Sequence, residues 1–169
     1  MKQYIGTKVV EAEPATLYEL KEGGHYLKKH SEEWTKEDAN IPALASSKRE
    51  GYAVTYAGGY ESWSPKEVFE RAYLPIEVNK KLKTDKPSIS QKMVDDFIHH
   101  VEVTTLGRKT TVVRAVLVNG FELVEASSCV SPENYSEELG KQICLDRIKG
   151  KVWMLLGFLL QTGVSGVKK

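Results

Sequence analysis

Apolar and polar positions alternate most cleanly in the C-terminal half of the chain. Ile98 to Thr105 reads as a strand, Gly107-Arg108-Lys109 as a turn, and Thr110 to Val118 is dense in valine and threonine. Apolar residues fall on both faces of that second segment, the pattern of a strand central in its sheet. Asn119-Gly120 predicts a tight hairpin of type I′, in which both central residues need positive φ, and Phe121 to Ser128 returns as the third strand. Ser131-Pro132-Glu133-Asn134 then opens one long helix running to about Gln161. Within it Leu139, Ile143, Ile148, Val152, Leu155 and Leu159 recur at steps of four, five, four, three and four, which is one helical face. A short helical turn from Met93 to Phe97, capped by Ser90, precedes the first strand.

The N-terminal half is patterned unevenly. A strand is expected from Tyr4 to Ala12, then a short helix from Ala15 to Glu22 stopped by Gly23-Gly24. Residues 25–50 are polar and weakly patterned, and read as a long loop. Residues 52–56 and 60–63 are aromatic-rich strands joined by Ala57-Gly58-Gly59 as a hairpin. Ser64-Pro65-Lys66-Glu67 carries a capping pattern, with Ser64 as cap, Pro65 at the first helical position and Glu67 reaching back, so a helix is expected from Pro65 to about Tyr73. Together these elements predict an α+β fold: an antiparallel hairpin or meander sheet packed with a long C-terminal helix, preceded by a small αβ module. The expected organisation is a module at 1–75, a lysine-rich linker at 76–92 with five lysines against Glu77 and Asp85, a module at 93–162 and a tail at 163–169.

Composition narrows the class. The 169 residues carry 24 Lys and Arg against 23 Asp and Glu, a formal charge of +1. That leaves no global basic field for coating nucleic acid, so anion binding has to come from local clusters. No apolar run approaches the roughly 18 residues of a membrane span. The first residues lack the apolar core of a signal peptide, so a cytosolic location is expected, where Cys129 and Cys144 stay reduced.

Residues with catalytic potential do not assemble in the sequence. There is no phosphate-binding glycine loop, no paired CxxC and no HExxH. His99 and His100 are neighbours on a strand and are expected to point to opposite faces, while His25 and His30 lie in the weakly patterned region. Neither cysteine has a base beside it, and both read as structural thiols. No enzyme, no metal and no cofactor is expected. Basic residues are the better candidates. Arg147 and Lys151 share one side of the long helix with Lys141 nearby, and Arg108, Lys109 and Arg114 form a second group. An arginine fork holds a phosphate bidentately, and Phe121 or one of Tyr52, Tyr56, Tyr60, Trp63 and Tyr135 offers a flat face to a base. The same cations also suit a solvated helix face or ion pairs with Glu137, Glu138 or Asp146. Gly140, Gly150 and Gly157 each cost roughly 1 kcal/mol inside a helix, which points to close approach of another helix or to close packing within the chain.

Residues 98–161, with Asn119-Gly120-Phe121, Ser128-Cys129 followed by Pro132-Glu133-Asn134-Tyr135, Gly140, and Lys151-Val152-Trp153 leading to Gly157, resemble the first class of phage Thoeris anti-defence proteins. The stretch GYAVTYAGGYESWSPKEVFERAY resembles another small phage module of unknown role. The first resemblance implies a sponge that binds cyclic ADP-ribose isomers without cleaving them, with cyclic oligonucleotides as further ligands, and that assembles into dimers or hexamers. It implies Arg147, Phe121, Asn134 and Lys151 as ligand-binding residues. Two departures stand out. The family's acidic Trp-Glu-Leu-Glu-Gly is Trp153-Met154-Leu155-Leu156-Gly157 here, and its second helix arginine falls at Lys151, a point charge in place of a fork. The alternative is a phage protein that binds and inhibits a host protein through the Tyr/Trp hairpin.

Overall fold

The computed structural model describes every residue except Tyr4, Val78, Asp85 and Lys169. The chain divides into two compact units, Lys8–Pro75 and Ile76–Lys169, the latter joined by Met1–Thr7.

The N-terminal unit contains β1 (Glu11–Leu20), β2 (His25–Lys29), a single helical turn α1 (Ile41–Leu44), β3 (Ala45–Thr55), β4 (Glu61–Pro65) and α2 (Lys66–Ala72). Its antiparallel sheet has the order β2-β1-β3-β4. In place of the helix expected at 15–22, residues 15–20 are the second half of β1 and residues 21–22 a turn, with Leu17 opposite both Leu27 and Arg49. Pairing on two sides at Ala15–Glu19 gives that backbone strand partners on both edges, whereas an eight-residue helix is marginal on its own. The strand expected at 4–12 includes Tyr4, which lies outside the described residues, while residues 5–10 form no strand. The loop expected at 25–50 is also corrected, since it carries β2 and half of β3. Those strands are polar because cross-strand ion pairs and hydrogen bonds take the place of apolar alternation. Arg49 lies 2.7 Å from Glu19, Lys29 3.2 Å from Glu61, and the Thr16 hydroxyl donates to Glu50 at 3.0 Å.

The hairpin from β3 to β4 forms as expected. The helix after it starts one residue later, because Ser64 stays in the sheet opposite Tyr52 and makes no cap. Phe69 of α2 stacks on Tyr52 with ring centroids 4.3 Å apart, which fixes the helix on the strand.

The C-terminal unit contains α3 (Gln91–Asp96), β5 (Ile98–Leu106), β6 (Thr110–Leu117), β7 (Glu122–Ser128), a 3₁₀ turn at Pro132–Asn134 and α4 (Glu137–Ser165). Ser90 caps α3 as expected, accepting from the Met93 N–H at 3.2 Å. The sheet is antiparallel with β6 in the centre. Thr111, Val113, Ala115 and Leu117 are buried on the face of β6 that meets α4, and join Met93, Val94, Phe97, Cys144, Ile148, Val152 and Leu156. The turn between β6 and β7 is not type I′. Gly120 alone has positive φ, at 82°, and Asn119 does not. The Gly120 N–H donates to Leu117 O and the Leu117 N–H to Phe121 O, both at 2.8 Å, giving a three-residue loop that ends in a glycine bulge. β5 carries a register shift between Ile98 and His100, and both His99 and His100 are exposed.

The long helix is present, but it begins at Glu137 after the 3₁₀ turn, with Ser136 as its cap. Its buried residues are Gly140, Cys144, Ile148, Val152 and Leu156. Of the face expected from apolar spacing, Ile148 and Val152 are buried while Leu139 and Leu159 are exposed. A row at steps of four runs about 26° off the helix axis. It is used here because the small residues Gly140 and Cys144 let the helix start close to β6. A Cβ on Gly140 would lie 2.2 Å from Thr111 Oγ1 and 2.7 Å from Thr111 Cβ, whereas one on Gly150 or Gly157 meets nothing within 4 Å. Close packing within the chain therefore explains Gly140 alone.

That contrast is testable. Gly140→Ala forces the helix off Thr111 and is expected to destabilise by about 1–3 kcal/mol despite alanine's better helix propensity. Gly150→Ala adds its methyl to open space and is expected to stabilise by up to about 1 kcal/mol. Urea unfolding of the two variants beside wild type checks both signs, and destabilisation by Gly150→Ala would contradict the open surroundings of that site.

Candidate functional site

Directly opposed residues in a sheet share a face. Glu125 on the edge strand β7 lies opposite the buried Val113, and Leu123 opposite Ala115, so both look toward α4. An acid on this face has to be matched by cations from the helix above. Arg147 and Lys151, one turn apart on α4, supply them. Lys151 Nζ forms a close ion pair with Glu125 Oε1, and Arg147 Nη1 lies 3.9 Å from Glu125 Oε2. The same Nη1 donates to the carbonyl of Ala126 at 2.9 Å, covering part of the free edge of β7. The Glu125 side chain is 15% exposed, against 53% for Arg147 and 46% for Lys151. The carboxylate is thus the floor of the arrangement and the two cations its outer layer. Among the described residues, Arg147 Nε and Nη2 make no hydrogen bond, so one edge of the guanidinium is tied down and the other faces outward.

The structure brings Arg147 and Lys151 together as their spacing predicts. It places Phe121 and Asn134 apart. Phe121 stands exposed at the hairpin turn, where its N–H donates to Asn119 Oδ1 at 3.0 Å. Asn134 is exposed at the end of the 3₁₀ turn. The seven residues of β7 separate them, a span of about 20 Å at strand rise.

The second basic group is engaged elsewhere. Arg114 lies on the opposite face of the sheet, 2.8 Å from Glu122 and 2.9 Å from Glu102. Hydrogen bonds that it donates to Glu122 first, and to Glu102 next, hold its guanidinium more firmly protonated than usual, and the same contact lowers the Glu122 carboxyl. Lys109 donates to Val130 O. Lys149 pairs with Asp95 at 2.8 Å, which ties α3 to α4. Tyr135, a candidate stacking face, uses its hydroxyl to join Thr105 at 2.6 Å and Thr111 at 3.1 Å.

Burial pushes the Cys144 thiol up, away from the thiolate a nucleophile needs. Cys129 donates its thiol hydrogen to Ser131 O at 3.0 Å. His30 Nε2 lies 3.0 Å from the Thr16 hydroxyl and 3.4 Å from Glu50. Among the described residues, no group of three or more His, Cys, Asp and Glu side chains is placed to hold a metal, and no helix is long and apolar enough to cross a membrane. On the N-terminal hairpin Tyr60 is exposed, but Trp63 turns onto Gly51, with Arg49 5.0 Å from its ring.

Glu125 is the member of this arrangement that reading the cations alone misses. Its signal is parity: in β7 it occupies the same alternate positions as Leu123, the positions that face the helix.

Residues 89–164, from the cap of α3 nearly to the end of α4, match the phage protein (N4 Gp49/phage Sf6 gene 66) family. Comparison with curated proteins and with solved structures gave no match. The matched segment contains Phe121, Glu125, Asn134, Arg147 and Lys151. The finding supports a phage protein, with its C-terminal segment similar to the N4 Gp49/phage Sf6 gene 66 family.

Proposed function

We propose that this phage protein is a sponge: it binds a cyclic nucleotide signal of the cyclic ADP-ribose type and holds it without cleavage. The observation that carries the reading is the outward edge of Arg147, a charge-assisted fork beside Lys151 at the rim of β7. With Glu125 between them, the three side chains sum to one positive charge, which suits a phosphate. The resemblance of residues 98–161 to Thoeris anti-defence proteins of the first class supplies the ligand class, and the phage family match covers the same stretch. Phe121 precedes β7 and lies five residues from Ala126, a backbone span of about 16 Å, which is long for a ring stacking on a base whose phosphate is held by Arg147 of the same chain. A second copy of the chain would supply it, which agrees with the homo-oligomer that the resemblance implies.

Two measurements test the reading. Incubating the protein with a cyclic ADP-ribose isomer, removing free ligand and then heat-denaturing the protein is expected to release the ligand unchanged by chromatography and mass spectrometry. Release of hydrolysis products, or retention of no nucleotide by a folded sample, sinks the proposal. In titration calorimetry, Arg147→Ala is expected to weaken binding by about tenfold to a hundredfold, the equivalent of losing a charged hydrogen bond of about 1.5–3 kcal/mol. Arg108→Ala, in the turn between β5 and β6, is the control and is expected to leave Kd within about twofold.

A further inference from the structure

Arg147 and Lys151 are adjacent, yet their surroundings differ in a way that separates their roles. Lys151 is committed to Glu125 through its only charged nitrogen. Arg147 touches Glu125 at 3.9 Å and spends its closest bond on the Ala126 carbonyl, using Nη1 for both. A guanidinium has five N–H donors in a rigid plane, so holding Nη1 orients the Nε–Nη2 edge without consuming it. An ammonium has no second edge.

Consider what each partner prevents. Glu125 is a carboxylate only 15% exposed, on the face of β7 toward α4. Without Lys151 it would have Arg147 as its one nearby cation, and a bidentate Arg–carboxylate pair is the strongest alternative open to that guanidinium. Forming it would turn the Nε–Nη2 edge inward, away from any ligand. Lys151 removes that competitor.

We propose that Lys151 is a positioning residue, which serves anion binding by neutralising Glu125 so that Arg147 alone reads the phosphate. The inference rests on the sponge reading for its ligand but concerns how the site works: Glu125 is the competitor for Arg147, and Lys151 is what removes it. The arrangement also explains why a lysine suffices at 151: the task there is to cancel one charge, which a point charge does as well as a fork.

The test is a double-mutant cycle on the full chain, using Glu125→Gln, Lys151→Gln and their combination, with Arg147→Ala as the reference for a lost site. Each protein is titrated calorimetrically with cyclic ADP-ribose and, separately, with inorganic pyrophosphate, after thermal melts confirm folding. Lys151→Gln alone is expected to weaken binding about tenfold, because Glu125 then captures Arg147. Glu125→Gln alone is expected to bind at least as well as wild type. Adding Lys151→Gln to Glu125→Gln is expected to cost under threefold, since a solvated amine near the ligand contributes little. Such rescue of the Lys151 variant by a second substitution is not produced by a residue that touches the anion. If Lys151→Gln costs the same in both backgrounds, or costs nothing in the wild type, the inference is wrong. If pyrophosphate binds and cyclic ADP-ribose does not, the sponge reading falls while the pyrophosphate cycle still decides the inference. Binding of neither by folded wild type overturns both.

Discussion

The backbone of α4 at Gly140 lies against the side chain of Thr111, and much of the C-terminal unit follows from that approach. A methyl group on residue 140 would overlap the threonine, so the helix meets the sheet at a distance only glycine permits. Thr111 is fully buried and keeps its hydroxyl paired with Tyr135, which holds the segment just before the helix. Contact at that point fixes the rotation of the helix about its axis. Cys144, Ile148, Val152 and Leu156 then follow at steps of four into the core, and Arg147 and Lys151 arrive beside the edge strand. Site and core are two consequences of one close contact. A bulkier residue at 140 would displace the cations as well as loosen the packing.

The carboxylate beneath those cations is the second constraint. A charge removed from water needs partners of opposite sign, and breaking such an arrangement costs more than it contributes when complete. Glu125 has two partners of unequal kind, one fully engaged and one held mainly by a backbone carbonyl. That asymmetry leaves a guanidinium that is anchored and still has unused donors. A lone surface arginine would have to lose side-chain freedom on binding; this one has been ordered beforehand. The contrast with Arg114 is informative. There both carboxylates bond the guanidinium closely, using Nε, Nη1 and Nη2, and that residue is structural.

The C-terminal unit was legible in the sequence where side-chain chemistry and backbone geometry agree. Three strands, the central position of β6, the Ser90 cap and a long helix all follow from alternation and punctuation. What misled was finer. Asn119-Gly120 favours a turn with two positive φ values, but Val118 joins the loop and needs only Gly120 to take that conformation. Leucine and isoleucine spacing points to one helix face, while contact with the sheet is set by the small residues Gly140 and Cys144. In the N-terminal unit the sheet is held at several points by Glu19, Lys29, Arg49, Glu50 and Glu61, charged residues that suggest a solvated loop. A strand made of cross-strand ion pairs carries little hydrophobic period, so β2 and the first half of β3 have the pattern of a loop.

The site was legible as cations and illegible as a circuit. Spacing by four residues places Arg147 and Lys151 on one side of α4 without reference to the sheet, because the helix repeat alone decides it. Which of them is free depends on what lies beneath, and that depends on register across three strands. Shifting β7 by one residue would turn Glu125 to the other face and bring Val124 under the helix. Both cations would then be unpaired and mobile, and neither would be oriented by the Ala126 carbonyl. Strand register therefore decides whether these two charges form a solvated helix face or an ordered cluster on Glu125 and the Ala126 carbonyl. The hairpin turn sets that register, through the hydrogen bonds that join Leu117 to Gly120 and Phe121. A loop of three residues some distance from Arg147 thus determines the electrostatics at the helix.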